Sequence, residues 1–139
     1  MKILILCTGN SCRSQMAESF LKSLDTTLQV FSAGTKPTAK INPYAVKVMK
    51  EYDIDISQNS PKLVDQFLGD TWDYVITVCG WANENCPHFM GTVKKRLHMG
   101  FDDPADIIGT EDEIMKGFRK VRDEIKHAFT ELYHNSIRK

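Results

Sequence analysis

The feature that most constrains the fold lies at the start of the sequence, where a short apolar run ends in a glycine-containing turn. The run Ile3–Leu6 leads directly into Cys7-Thr8-Gly9-Asn10. A wholly apolar run of this length is typical of a strand that is buried on both faces. Apolar residues then recur at helical spacing, which predicts a helix that begins near Ser14: Met16, Phe20, Leu21 and Leu24.

The rest of the sequence alternates strand patterns with helix patterns. Further strands are predicted at Leu28–Phe31, Tyr74–Val78 and Val93–Leu97. Further helices are predicted from Asn42-Pro43, from Ser60-Pro61 with Leu63, Val64, Phe67 and Leu68, and over Glu111–Tyr133. We therefore expect one α/β domain over residues 1–139, in which helices flank both faces of a four-stranded parallel sheet.

Charge and composition exclude several classes of protein. Among 139 residues, 18 basic side chains balance 18 acidic ones, so no broad positive surface is expected for nucleic acid or an anionic membrane. Any anion must therefore be bound locally. The run Ile3–Leu6 is too short for a signal peptide or a membrane span, so we expect a cytoplasmic protein, where a permanent disulfide is disfavoured.

The segment Cys7–Ser14 has the features of an anion-binding loop. A short loop that enters a helix directs backbone N–H groups and the helix dipole toward one point. Gly9 and Asn10 tolerate unusual backbone conformations, and Arg13 can hold two oxygens of a tetrahedral oxyanion. This field predicts that Cys7 is ionised and nucleophilic. The alternative interpretation is that Cys7 is a small buried residue that closes the strand.

Two further cysteines follow the strand at Tyr74–Val78. Cys79 and Cys86 have six residues between them, which include Gly80 and the polar residues Asn83–Asn85, a spacing that suits a redox pair on a flexible loop. Cys79, like Cys7, ends a predicted strand, where parallel sheets bind ligands. The alternative is a zinc site that uses all four cysteines and His88, although the spacing is wide for structural zinc: Cys7, Cys12, Cys79 and Cys86.

Several segments carry a resemblance to a known family. The segment Cys7–Ser14 resembles the loop of the low-molecular-weight tyrosine phosphatase fold. With Gln15-Met16-Ala17-Glu18 it resembles the thioredoxin-coupled arsenate reductases built on that fold. Other segments agree, so the resemblance covers nearly the whole chain: Ser32-Ala33-Gly34, Asp53–Ser57, Gly100–Ala105 and Phe118–Ile125.

The resemblance implies a role for each candidate site residue. Arsenate would be the substrate, with phosphate and sulfate as competing anions, and it would be bound by the loop residues Thr8, Gly9, Asn10, Ser11, Cys12, Arg13 and Ser14. Cys7 would attack arsenic, and Asp103, which by its Asp-Pro sequence alone is an ordinary turn residue, would be the general acid. Cys79 would attack the arsenic-bound Cys7. Cys86 would then resolve that disulfide into Cys79–Cys86, which thioredoxin would reduce.

The resemblance also bears on cofactors and on rival functions. Some members bind potassium at positions matched by Asn10, Glu18 and Ser32, but Lys62 stands where they have an aspartate, and a lysine ammonium could supply the cation's charge. No cofactor is otherwise required, and we expect a monomer. A phosphatase that uses Cys7, Arg13 and Asp103 is the first alternative, although Ala105-Asp106 replace its aromatic pocket wall. A redox-sensing or metal-binding module is the second.

Overall fold

The computed structural model describes residues 1–80, 82 and 86–138. Its sheet consists of four parallel strands in the order β2-β1-β3-β4. The strands are β1 (Lys2–Cys7), β2 (Gln29–Gly34), β3 (Trp72–Thr77) and β4 (Val93–His98). The described residues also form the helices α1 (Arg13–Leu24), α2 (Pro43–Lys50) and α3 (Glu111–Leu132). Single helical turns lie at Val64–Phe67, Pro104–Asp106 and Tyr133–Ile137.

The first strand forms the centre of the core. Ile3, Leu4, Ile5 and Leu6 are all fully buried. Because alternate residues of a strand point to opposite faces, both faces of the sheet are covered at β1. Helices α1 and α2 both pack against α3. The predicted α/β fold with a four-stranded parallel sheet is confirmed.

The register of the sheet brings the ends of three strands together. Cys7 is paired with Gly34 at the end of β2, and Leu6 is paired with Thr77 at the end of β3. The ladder continues one residue further, since the N–H of Val78 donates to the carbonyl of Leu6 at 2.9 Å. Cys7 and Cys79 therefore lie side by side at the carboxyl edge of the sheet.

Two helix starts follow the capping signals of their sequences. Asn42 accepts a hydrogen bond from the N–H of Tyr44 at 2.8 Å, and Pro43 occupies the first helical position of α2, as predicted. Helix α3 begins at a capping box in which Thr110 and Glu113 bond reciprocally. Neither α3 nor any other helix within the described residues has an apolar stretch long enough to cross a bilayer.

The helix predicted from Ser60-Pro61 is wrong. Only one 3-10 turn forms there, at Val64–Phe67. The preceding backbone is extended because it pairs with the end of β2: the N–H of Gly34 donates to the carbonyl of Lys62 at 2.8 Å, and Leu63 forms a bridge with Gly34. This pairing uses residues that the apolar spacing had assigned to a helix.

Candidate active site

The loop between β1 and α1 forms a bowl whose outer side is held by the segment that follows β2. The carbonyls of Thr8, Gly9 and Ser11 accept hydrogen bonds from the N–H groups of residues 36, 38 and 42, at 2.9, 3.0 and 2.9 Å. The C=O and N–H of one peptide unit point in opposite directions. The N–H groups that follow these carbonyls therefore turn toward the inside of the bowl, which suits an anion.

Asn10 holds the bowl in shape from beneath. It is fully buried and has a positive φ of 52°. Its side-chain amide donates to the hydroxyls of Ser14 (2.8 Å) and Ser32 (2.9 Å), and its Oδ1 accepts from the N–H of Lys62 (2.9 Å). The side chains of Asn10 and Ser14, both predicted to be oxyanion-binding residues, thus support the loop and do not line the pocket.

Sequence reasoning gave no role to Gln15, which is fully buried beside Asn10. Its Nε2 donates to the carbonyl of Asn10 at 3.1 Å and to its Oδ1 at 3.2 Å. A glutamine in the first turn of a helix is ordinarily exposed. The sequence indicated a role for Gln15 only through its place in Gln15-Met16-Ala17-Glu18, the segment that resembles the arsenate reductases. These two hydrogen bonds hold Asn10 in its left-handed backbone conformation.

The bowl opens into a pocket of about 270 Å³ at the carboxyl edge of the sheet. Its wall contains the predicted residues Cys7, Arg13 and Asp103, which the fold brings together. The other lining residues are Thr8, Gly9, Ser11, Cys12, Lys36, Thr38 and Ala105. Lys36 and Thr38 come from the segment after β2 and were not predicted, because nothing in their sequence links them to the loop. None of the described lining residues is aromatic.

Arg13 and Asp103 face each other across the pocket. Arg13 Nη2 lies 3.4 Å from Asp103 Oδ2, and Arg13 Nη1 donates to the carbonyl of Phe101 at 3.0 Å. Asp103 Oδ1 accepts from the N–H of Ala105 at 3.0 Å, which fixes the carboxylate at the start of a 3-10 turn. Arg13 Nε is buried and has no hydrogen-bond partner within the described residues. The guanidinium therefore retains a donor for a ligand.

Cys7, which lines the pocket, is hydrogen-bonded to Cys79. A hydrogen bond from Cys7, together with donors at Thr8 and Ala82, lowers the pKa of Cys79 to about 5. Thr8 Oγ1 is 3.2 Å from Cys79 Sγ, and the N–H of Ala82 is 3.5 Å from it. The hydrogen bond to Cys79, followed by burial, raises the pKa of Cys7.

The expectation that Cys7 carries the thiolate stays a prediction. Its hydrogen bond to Cys79 and its burial raise the pKa of Cys7, whereas Arg13 and the Thr8 N–H lower it, in the direction that the sequence predicted. The loop therefore favours ionisation of Cys7, and the neighbouring Cys79 opposes it.

The other two cysteines differ from this pair. Burial raises the pKa of Cys12 to about 12, so its thiol stays protonated, in line with a structural role. Cys86 is half-buried and lies 3.9 Å from Arg96 Nη1. None of the four cysteines, all of which are described, is in a disulfide. The flexibility predicted around Asn83–Asn85 concerns residues outside those that the structure describes.

The residues matched to a cation site form a closed hydrogen-bond cluster. Ser32 Oγ donates to Glu18 Oε1 at 2.5 Å, and Lys22 Nζ lies 2.6 Å from Glu18 Oε2. Lys62 does not contribute its ammonium, which instead donates to the carbonyl of Ser60 at 3.3 Å. These oxygens are already used by protein donors, and Lys22 balances the charge of Glu18. The residues therefore do not fit a potassium ion.

A zinc site of the four cysteines is not formed either. Within residues 1–80, 82 and 86–138, no group of three or more His, Cys, Asp or Glu side chains could hold a metal ion. Cys86 lines a different cavity from the one that contains Cys7 and Cys12.

Comparison with known proteins gives matches over nearly the whole chain. A family model described as low molecular weight phosphotyrosine protein phosphatase matches residues 2–139. A protein named arsenate reductase from Halalkalibacterium halodurans is 50% identical over 124 residues, which cover 88% of each chain. A solved structure described as an arsenate reductase in oxidized state has a TM-score of 0.80 and 30% identity, over 96% of each chain. The tyrosine phosphatase AmsI of Erwinia amylovora has the same fold, with a TM-score of 0.79 and 19% identity over 96% of this chain and 91% of its own.

Proposed function

The chain belongs to the low molecular weight phosphotyrosine protein phosphatase family, as its Cys7–Ser14 segment predicted, and on this premise we propose that it is an arsenate reductase. The observation that carries the proposal is the position of Cys79. A second cysteine, with a lowered pKa, lies against the nucleophile of the phosphatase-like bowl. Hydrolysis of a phosphate ester has no use for this thiolate, whereas reduction of an oxyanion needs a second sulfur beside the first.

Arsenate binds in the bowl as a tetrahedral oxyanion. The inward N–H groups of the loop and the guanidinium of Arg13 hold its oxygens, and the free donor at Arg13 Nε is available to one of them. Phosphate and sulfate have the same shape and charge and compete for the site. The wall beside Asp103 carries Ala105 and no aromatic side chain, which favours a small inorganic anion over phosphotyrosine.

The first chemical step joins Cys7 to arsenic. Cys7 attacks as the thiolate while Cys79 is protonated, and an arsenate oxygen leaves as water after protonation by Asp103. Asp103 lies beside Arg13 at the mouth of the pocket, in reach of such an oxygen. Loss of the remaining proton then leaves Cys79 as the thiolate that Thr8 and Ala82 stabilise.

The second step reduces arsenic and oxidises the two sulfurs. The Cys79 thiolate attacks Cys7 Sγ, the S–S bond forms, and the electron pair of the S–As bond passes to arsenic. Arsenic falls from the +5 to the +3 state and leaves as arsenite. Overall, two thiols and arsenate give a disulfide, arsenite and water.

Cys86 carries the oxidation away from the pocket. Its thiolate attacks Cys79, which forms the Cys79–Cys86 disulfide and returns Cys7 to the reduced state. Cys79 is only 4% exposed, whereas Cys86 is half-buried and can be reached by a protein reductant, which we propose is thioredoxin. The Cys7, Cys79 and Cys86 thiols must begin reduced, so we place the enzyme in the cytoplasm.

Substitution of Cys79 separates this proposal from the phosphatase alternative. Cys79→Ser should lower arsenite formation by about 10³-fold or more, because no sulfur is left to take Cys7 from arsenic. Hydrolysis of an aryl phosphate should persist in the same variant, since it needs only Cys7, Arg13 and Asp103. Both activities are measured on one preparation, so loss of the fold would remove both. Arsenite formation that survives the substitution would contradict the proposal.

A further inference from the structure

Cys86 and Arg96 meet at a second cavity, separate from the oxyanion pocket. This cavity has a volume of about 270 Å³ and lies on β3 and β4. It is lined by Val75, Thr77, Cys86, Arg96, Leu97 and His98, none of which lines the oxyanion pocket.

Arg96 is held in place by the segment that contains Cys86. Its Nη1 donates to Cys86 Sγ at 3.9 Å, and its guanidinium carbon lies 5.5 Å from the centroid of the Phe89 ring. Phe89 is only 4% exposed, and the next two N–H groups, of Met90 and Gly91, both donate to the carbonyl of Leu68. The aromatic ring beside the guanidinium is therefore anchored, and Arg96, although exposed, contacts both this ring and the sulfur.

Arg96 also differs from its neighbours in charge balance. Lys94 pairs with Asp73 at 3.2 Å, and Lys95 lies 6.0 Å from the Tyr74 ring, whereas Arg96 has no carboxylate partner among the described residues. Within that part of the chain, its Nη1 donates to Cys86 Sγ.

Few other titratable groups face Cys86. Within the described part of the chain, β4 contributes Arg96 and His98 to the cavity, and β3 contributes the uncharged Val75 and Thr77. His98 Nδ1 lies 2.8 Å from Thr77 Oγ1, so this ring nitrogen is engaged on the strand. Burial raises the pKa of Cys86, and Arg96 opposes that effect.

We propose that Arg96 is a positioning residue for the resolving step, in which it holds Cys86 Sγ and stabilises its thiolate. The inference rests on the proposed function. In that step the Cys86 thiolate attacks Cys79 of the Cys7–Cys79 disulfide, the Cys79–Cys86 bond forms, and Cys7 leaves with the electron pair as a thiolate. The proton of Cys86 passes to solvent, and no net oxidation occurs. The guanidinium raises the fraction of Cys86 that can attack at neutral pH.

The test compares Arg96→Met with Lys95→Met, a matched loss of one cation at the next position of the same strand. Reduced protein is alkylated with iodoacetamide across a pH series, and each cysteine is quantified by mass spectrometry. In Arg96→Met, alkylation of Cys86 at pH 7 should slow by about threefold or more, its pH profile should move upward, and Arg96→Lys should partly restore it. Identical Cys86 profiles in Arg96→Met and Lys95→Met would overturn the inference.

A second readout follows the resolving step itself. After arsenate is added to the reduced protein, the Cys7–Cys79 disulfide should accumulate in Arg96→Met and convert to Cys79–Cys86 more slowly than in Lys95→Met. The difference in conversion rate between the two variants should shrink as the pH rises, because Cys86 is then ionised even when the guanidinium is absent. Equal conversion rates in the two variants would overturn the role in resolution. If the wild type forms no arsenite at all, the proposed function fails, and the alkylation profile still reports whether Arg96 acts on Cys86.

Discussion

At the scale of single residues, a contact between Thr8 and Cys79 is one of the interactions that lower the pKa of Cys79. The two positions are 71 residues apart in sequence and 3.2 Å apart in the fold. Residue type and local context were enough to predict Cys7, Arg13 and Asp103, because a loop entering a helix has known anion chemistry. They did not predict the contact with Cys79, since it joins two loops that are far apart in sequence.

The Thr8 hydroxyl is expected to maintain the Cys79 thiolate. A hydrogen bond to a charged group contributes about 1.5 kcal/mol or more, so its loss in Thr8→Val should lower the thiolate fraction by roughly tenfold below the pKa. The thiolate of the wild type is present above a pKa of about 5 and is lost as the pH falls through it. Alkylation of Cys79 should therefore require a higher pH in the variant.

The measurement is the iodoacetamide rate of Cys79 between pH 4 and 8, followed by mass spectrometry. Thr92→Val, a change of the same type at an exposed position before β4, should leave the profile unchanged. A Thr8→Val profile that matches the wild type would show that the hydroxyl does not act on Cys79.

At the scale of secondary structure elements, the bowl depends on close contact between the loop and the end of β2. A Cβ atom at Gly34 would collide with the Thr8 carbonyl and approach the Asn10 nitrogen at 3.1 Å. Glycine is needed there for space, not for its backbone angles. Only the register of β1 with β2 shows what packs on this glycine. The same pairing explains why the helix predicted from Ser60-Pro61 does not form.

Gly34→Ala should therefore distort the bowl. We expect a loss of about 1–3 kcal/mol of unfolding free energy from overpacking, together with a much weaker affinity for phosphate. The measurements are urea unfolding and calorimetric phosphate binding. Gly69→Ala is the control, because a Cβ at Gly69 has no atom within 4 Å. Phosphate affinity in Gly34→Ala equal to that of the control would contradict the packing argument.

At the scale of the whole molecule, a buried arginine joins α2 to α3 behind the site. Arg122 is 5% exposed and donates to the carbonyl of Val48 at 2.9 Å. It also pairs with Glu51 at 2.6 Å and Asp123 at 2.9 Å. The periodicity of α3 predicted its apolar stripe, but it did not predict an arginine inside it, because Val48 and Glu51 come from α2 and its C-terminal cap.

Arg122→Met should destabilise the protein by about 1–3 kcal/mol, since the Val48 carbonyl is left without its donor. Bonds from Arg119 and Arg122 lower the pKa of Glu51, and a bond from Arg122 lowers that of Asp123. These pairs stabilise the fold above the ordinary carboxyl pKa and lose that effect as the pH falls through the lowered values. The unfolding free energy of the variant should thus depend less steeply on pH below about 5.

Urea unfolding at a series of pH values tests this prediction. Arg119→Gln removes only an exposed partner of Glu51 and should cost about 1 kcal/mol or less. If Arg122→Met and Arg119→Gln cost the same, the buried arginine does not join the helices in the way described.

The central claim, that electrons pass from two sulfurs to arsenic and then outward to Cys86, can be tested without a reductant. Fully reduced protein is mixed with arsenate alone and quenched with a thiol-blocking reagent, arsenite is measured, and the disulfides are mapped by mass spectrometry. The account predicts about one arsenite per protein and a Cys79–Cys86 disulfide, with Cys7 and Cys12 free. Four free thiols and no arsenite would contradict it and leave the phosphatase chemistry of Cys7, Arg13 and Asp103.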